Sequence, residues 1–223
     1  MNFHYLLRET IVFFIVFLFF ILPSLLVNQT TFVMEKWSFP AIQFSLAVSG
    51  LIICLVENKN LVSLKKSDRI KTFTNIRASL FSFGMLCVIS CIFQLFAYYV
   101  IHFQEKYTIK APSSILQYIF LVLTFLFSAF YEESLFRLYL PEVCSKISGK
   151  VKNTFASLAI AELIPALLFS FCHRYLGWLA VLNAFLCHFV LRFCYKKTEN
   201  FLYGTVIHAI YNILNFAVLC YLN

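Results

Sequence analysis

Seven apolar stretches, at about residues 11–27, 39–56, 78–101, 114–140, 154–173, 175–193 and 201–221, constrain this chain more than any other feature. A run of about 18 or more apolar residues is long enough to cross a hydrocarbon core as an α-helix. In that core every backbone N–H and C=O must be paired within the chain, and a helix does this segment by segment. The composition agrees: of 223 residues 61% are hydrophobic and only 13% charged, far below the charge of a soluble domain of this size. The expected fold is therefore an all-α, polytopic transmembrane helix bundle of about seven spans, with any active site built in the bundle core. Residues 1–223 read as a single membrane domain, with three spans and their loops in 1–113. The first run, Ile11 to Val27, is long and no small-x-small cleavage site follows it, so it reads as a retained span and not a secretory signal.

The net charge of +8 follows from topology. Lys59, Lys65, Lys66, Arg69, Lys71 and Arg77 fall in the expected loop 57–77, and Lys146, Lys150 and Lys152 in the expected loop 141–153. Arg8, Arg192, Lys196 and Lys197 fall on the same side, whereas Lys36, Lys106, Lys110 and Arg174 fall on the other. The positive-inside rule then sets the N-terminus in the cytoplasm and the C-terminus outside. No basic stripe interleaved with stacking aromatics is present, so no nucleic-acid partner is expected; the partners are membrane lipid and whatever the bundle core receives. The eight cysteines contain no Cys-x-x-Cys, and all except Cys144, placed in a loop, lie in or beside apolar spans as packing residues. Cys172 adjoins His173, but neighbours on a helix diverge by about 100° and make a poor nucleophile–base pair.

Against this apolar background three polar spacings stand out. Glu132-Glu133-Ser134-Leu135-Phe136-Arg137 puts two carboxylates and a guanidinium inside the fourth span. Ionisable groups in hydrocarbon are costly and persist where a partner or function retains them. Glu133 and Arg137, four apart with the acid first, suit a same-face pair. Glu132 is rotated by about 100° and left available. In the fifth span Phe169 and His173 share a face, and in the seventh His208 and Asn212 do so. A single membrane histidine is ordinarily an interhelical hydrogen bonder. A carboxylate, two imidazoles and a carboxamide on three helices instead supply a general base, positioning groups and an oxyanion donor.

Glu132-Glu133…Arg137, Phe169…His173 and His208…Asn212, in this order, resemble the motifs of the CPBP family of intramembrane proteases. That family includes the CAAX prenyl endopeptidases and the bacterial Abi proteins. The likeness runs over about residues 114–221, the expected protease core; Leu138 departs from it, where many members place Gly. The resemblance implies that Glu132 activates water, His173 helps hold it, and His208 and Asn212 stabilise the oxyanion, with Glu133 and Arg137 in support. It also implies a lipidated or membrane-embedded peptide substrate, such as a prenylated CAAX tail. No cofactor is firmly implied. Zinc on Glu132, His173 and His208 is the alternative to a metal-free glutamate mechanism, although His-Glu-x-x-His is absent.

Depth poses a difficulty. Glu132 lies about 27 Å along the fourth span and His208 about 10 Å into the seventh, both in the cytoplasmic half. His173 ends the fifth span, so a full crossing would strand it on the far side. Helix five is therefore expected to tilt or to begin below the membrane. Glu162, near the face of Phe169 and His173 and close to Pro165, is either a second carboxylate near the site or a partner for a neighbouring helix. His188 and Arg192 read as an interfacial anchor, and Tyr131 as a packing residue next to the acids. A non-proteolytic immunity or scaffolding protein of the same family, or a small transporter with Glu132, Glu162 and the histidines as a proton relay, are the competing readings.

Overall fold

A computed structural model describes residues 3–26, 33–34, 38–57, 69–101, 108–109, 111–149 and 154–222. Seven long helical stretches follow one another among the described residues. Helix α1 is Phe3–Val16, carried through a π turn at Phe17–Ile21 into Leu22–Leu26. Helix α2 is Ala41–Glu57, and α3 is Arg69–Phe96, ending in a π turn at Ala97–Ile101. Helix α4 runs Ile115–Glu133, widens to a π helix at Ser134–Tyr139 and continues as Leu140–Ser148. Helices α5, α6 and α7 are Thr154–Phe171, Trp178–Thr198 and Phe201–Leu222. One two-residue parallel pair, Val33–Met34 with Thr108–Ile109, is the extended structure present among the described residues.

The helix ends follow local chemistry. Ser114 caps α4 by accepting the Gln117 N–H, and the Gln117 side chain reaches back to accept the Ser113 N–H at 2.8 Å, so end donors are satisfied as in a capping box. Lys196 and Lys197 occupy the last turn of α6, the favourable end of its dipole, and Glu199 closes it at φ 52°. Asn200 then accepts the Leu202 N–H at 3.0 Å and opens α7.

Five stretches, Leu7–Leu26, Lys71–Val100, Ile115–Ser148, Trp178–Thr198 and Phe201–Cys220, are long and apolar enough to cross a membrane; Ala41–Leu55 and Phe155–Phe171 are shorter apolar helices. Ile42, Leu80, Phe155 and Ile115 are among many large apolar side chains left exposed. In water such a surface would aggregate, and in lipid it is the expected one. The chain is an integral membrane protein.

Helix α4 is the hub, touching α1, α2, α5, α6 and α7. One core joins Val16 and Ile21 of α1, Phe136, Leu140 and Val143 of α4, Phe169 of α5 and Ala184 of α6. A second joins Leu86 of α3, Cys187 and Leu191 of α6, and Ile207 and Tyr211 of α7.

Several boundaries differ from expectation. The fourth helix does not end at 140 but runs to Ser148: the π segment carries the chain past Pro141, and Leu140–Ser148 packs on α1 and α5. Cys144 is thus a buried helical residue and not a loop residue, and Lys146 is helical too, paired with Glu142 at 2.9 Å and Glu9 at 3.6 Å. Helix α3 begins at Arg69, so Lys71 and Arg77 are helical; α6 likewise takes in Lys196 and Lys197. Lys36, Lys59, Lys65, Lys66, Lys106, Lys110, Lys150 and Lys152 lie outside the described residues.

The length of α4 also disposes of the depth difficulty. Its 34 residues amount to about 51 Å, against about 27 Å for the 18 of α5. Ser148 meets Ser157 at 3.0 Å near one end of α5, and the Phe136 and Phe169 rings stand 5.2 Å apart near the other. Helix α5 therefore covers only the later half of α4 and stops level with the acid pair.

Candidate active site

The site is built around the widening of α4. Glu132 and Glu133 are its last α-helical residues, and Ser134–Tyr139 form the π segment that carries Arg137. π segments insert an extra residue into a helix turn and recur at functional sites. Glu133 and Arg137 are both fully buried, with Arg137 Nε 3.3 Å from Glu133 Oε1, the pairing expected from their spacing. The Arg137 guanidinium also lies 4.0 Å from the centroid of the Phe169 ring, an arrangement that stabilises a desolvated cation.

His208 stands between the two carboxylates. Its Nδ1 is 2.9 Å from Glu133 Oε1 and its Nε2 is 3.6 Å from Glu132 Oε2. Because a carboxylate accepts, Nδ1 carries a proton and Nε2 faces Glu132. Glu133 therefore does more than pair with Arg137: it fixes the ring orientation of His208. Gly204, one turn before His208, makes room for this. A Cβ at that position would sit 2.8 Å from Glu133 Oε2.

His173 is held differently. It follows the last turn of α5, and its Nδ1 donates to the Phe169 carbonyl at 2.8 Å. This leaves Nε2 as the ring's acceptor. Phe169 is the common wall: its ring lies 4.7 Å from that of His173, 5.8 Å from His188 and 6.3 Å from His208. Phe169 is thus a buried ring against which two of the candidate histidines and Arg137 are set.

Glu132, Phe169, Cys172 and His173 share a cavity of about 300 Å³. Tyr131 and Phe136 also line it, and the Tyr131 hydroxyl is turned away to the Phe20 carbonyl at 3.1 Å. His208 joins through its contact with Glu132. Asn212, one turn beyond His208, is half-buried and has no hydrogen-bond partner among the described residues. The structure thus brings Glu132, His173 and His208 together around Phe169 and leaves Asn212 at the margin.

One reading requires correction, and the alternative for Glu162 is decided in favour of a helix partner. His188 and Arg192 are not an interfacial anchor: His188 is fully buried against Phe169, and Arg192 is turned inward. The cause is that α6 runs antiparallel to α5 and presents this face to α5 and the π segment of α4. Glu162 is not at the cavity. Its carboxylate accepts from Arg192 Nε and Nη2 at 3.0 and 3.1 Å and pairs with Lys196 at 2.7 Å, so it binds α5 to α6. A proton relay through Glu162 finds no support in a carboxylate engaged in this way.

Glu132, His173 and His208 are the set that zinc would need. Among the described residues no three His, Cys, Asp or Glu side chains are grouped closely enough to hold a metal ion. The donor set does not converge on one point.

Residues outside the motifs complete the site. Phe20 and Ser24 of α1 and Gln43 and Leu46 of α2 form the cavity wall facing Glu132 and His173. Arg174 donates to the Leu25 carbonyl at 3.1 Å and ties the turn after His173 to α1. Sequence spacing gave no sign of these contacts, since they join separate helices. Gly204 was legible in principle, as a small residue one turn before a buried histidine.

Residues 113–214 match the family described as type II CAAX prenyl endopeptidase Rce1-like. Neither the curated proteins nor the solved structures contain a match to the chain. The matched stretch begins just before α4, ends within α7 and holds all three polar motifs. Residues 113–214, a little under half of the chain, are thus similar to the Rce1-like family of CAAX prenyl endopeptidases.

Proposed function

We propose that the protein is an intramembrane endopeptidase that hydrolyses a peptide bond of a lipidated or membrane-associated substrate, with a water activated by Glu132. The observation that carries this reading is the placement of Glu132: its carboxylate lines a cavity with His173 while its Oε2 faces His208 Nε2. A water between Glu132 and His173 Nε2 would have one group to take its proton and another to direct its lone pair. Attack on the scissile carbonyl transfers the water's proton to Glu132, which returns it to the departing amine. His208, with Nδ1 anchored on Glu133, donates to the oxyanion through Nε2 as an imidazolium flanked by the two carboxylates, and Asn212 on the same face supplies a second donor when substrate is bound. Exclusion of bulk water by the surrounding helices strengthens each of these interactions.

The family match favours a prenylated CAAX-type tail as the substrate, cut on the cytoplasmic side of a bundle with its N-terminus inside and C-terminus outside. We read the whole chain as one membrane domain, in which α1 and α2 wall the substrate cavity. The test is incubation of the purified protein in lipid nanodiscs with a farnesylated CAAX peptide and its unprenylated form. The reading expects release of the terminal tripeptide from the farnesylated peptide; intact peptide after prolonged incubation with folded protein contradicts it.

A further inference from the structure

The π segment that carries Arg137 has an identifiable cause. In an α-helix the carbonyl of residue 137 accepts from the N–H of residue 141. Residue 141 is proline, which has no N–H and whose ring crowds the carbonyl four residues earlier. Widening at Ser134–Tyr139 relieves the clash, and the Leu140 N–H bonds the Leu135 carbonyl five residues back. The Arg137 carbonyl still lacks its α-helical donor, in a part of the bundle where an unpaired carbonyl is expensive.

Arg192 supplies that donor. Its Nη1 donates to the Arg137 carbonyl at 2.6 Å, from a different helix and 55 residues away in sequence. The other edge of the guanidinium is held by Glu162, with Nε and Nη2 both donating to the carboxylate. A planar fork held on two sides has one orientation, which a lysine could not reproduce. The chain of contacts then runs from Glu162 on α5 through Arg192 on α6 to the Arg137 backbone, and from the Arg137 side chain through Glu133 to His208 beside Glu132.

We propose that Arg192, oriented by Glu162, is a positioning residue that substitutes for the donor removed by Pro141 and thereby sets the π turn on which the Glu132–His208 geometry depends. It touches neither the cavity nor the candidate catalytic atoms. The role rests on the proteolytic reading for its consequence in rate, and on the π segment alone for its consequence in structure.

The two levels are separable by experiment. Arg192→Gln lowers kcat on the farnesylated peptide at least tenfold with little change in KM, because an ångström of misplacement remote from the chemistry is enough to cost about a hundredfold. Pro141→Ala removes the cause of the widening, so it lowers kcat too, and the double variant Pro141→Ala/Arg192→Gln loses little more than the worse single variant because both act through one π turn; fully multiplied losses overturn the shared route. The activity-independent readout is Cys54, whose thiol donates to the Ser134 carbonyl at the start of the π segment and is 5% exposed. Alkylation by N-ethylmaleimide, resolved by peptide mass spectrometry, accelerates severalfold at Cys54 relative to Cys187 in Arg192→Gln and little further in the double variant. If Arg192→Gln does not fold, Arg192→Lys, which keeps the charge beside Glu162 but not the planar fork, carries the same two readouts with the same expected and contrary results. Unchanged kcat and unchanged Cys54 labelling in a folded Arg192→Gln also overturn it. Should the wild type cleave no peptide, the protease reading fails while the labelling comparison still decides the clamp.

Discussion

His208 donates through Nδ1 to Glu133 at 2.9 Å, and this bond turns the opposite ring nitrogen toward Glu132. The adjacent acids therefore have different work. Glu133 is fully buried between Arg137 and His208, while Glu132 reaches the cavity.

Glu133→Gln keeps the shape of the side chain and removes the charge that pairs with Arg137 and orients His208. Loss of an orienting partner costs about 10–100-fold where it has been measured for ligating histidines, and a fall of that order in kcat is expected here. Arg137 left without its buried counter-charge also destabilises the fold, by about 3–5 kcal/mol. Paired measurements of kcat and thermal unfolding separate the two losses.

Gly204→Ala tests the same bond from the other helix. The added methyl would meet Glu133 Oε2 at 2.8 Å, so the carboxylate must move. Overpacking of this kind costs about 1–3 kcal/mol, and displacement of Glu133 also loosens His208. A thermal shift together with reduced peptide cleavage is the expected result.

Phe169→Leu removes the ring shared by Arg137, His173, His188 and His208. The cation–π contact is worth about 2 kcal/mol at a desolvated site, and the lost volume adds to it. The variant is expected to unfold at lower temperature and to lose activity out of proportion to its folded fraction.

Asn212→Ala addresses the one candidate residue that stands apart from the others. If its carboxamide meets the oxyanion only once substrate is bound, kcat falls about 10²–10³-fold with stability unchanged. Dialysis against a chelator is expected to leave the wild-type rate intact, since Glu132, His173 and His208 do not converge on a single point.

Much of the fold was legible because membrane insertion leaves few choices: each of the seven apolar runs falls on one of the seven long helices among the described residues. What the sequence did not disclose was helix length in context. Residues 141–148 look like a loop by charge, yet they are an amphipathic helix whose apolar side is buried on α1 and α5. That extension explains how His173 comes level with the acid pair, which the run lengths alone made paradoxical. Within the site, Glu133 with Arg137 was readable from spacing on one helix. The attachment of His208 to Glu133, the wall from α1 and α2, and the inward turn of Arg192 were not, because each depends on which helices become neighbours. Glu162 and Arg192 are 30 positions apart, and no local pattern announces such a pair.

The central claim is that Glu132 activates the hydrolytic water, and Glu132→Gln tests it most directly. The purified wild type and variant, matched for thermal unfolding and monodispersity in nanodiscs, are compared for single-turnover cleavage of the farnesylated peptide in H₂¹⁸O. The account predicts cleavage by the wild type with one ¹⁸O in the new carboxyl terminus, and a rate at least about 10³-fold lower in the folded variant, within the range for loss of a general base. Cleavage by Glu132→Gln at a rate close to that of the wild type would contradict it.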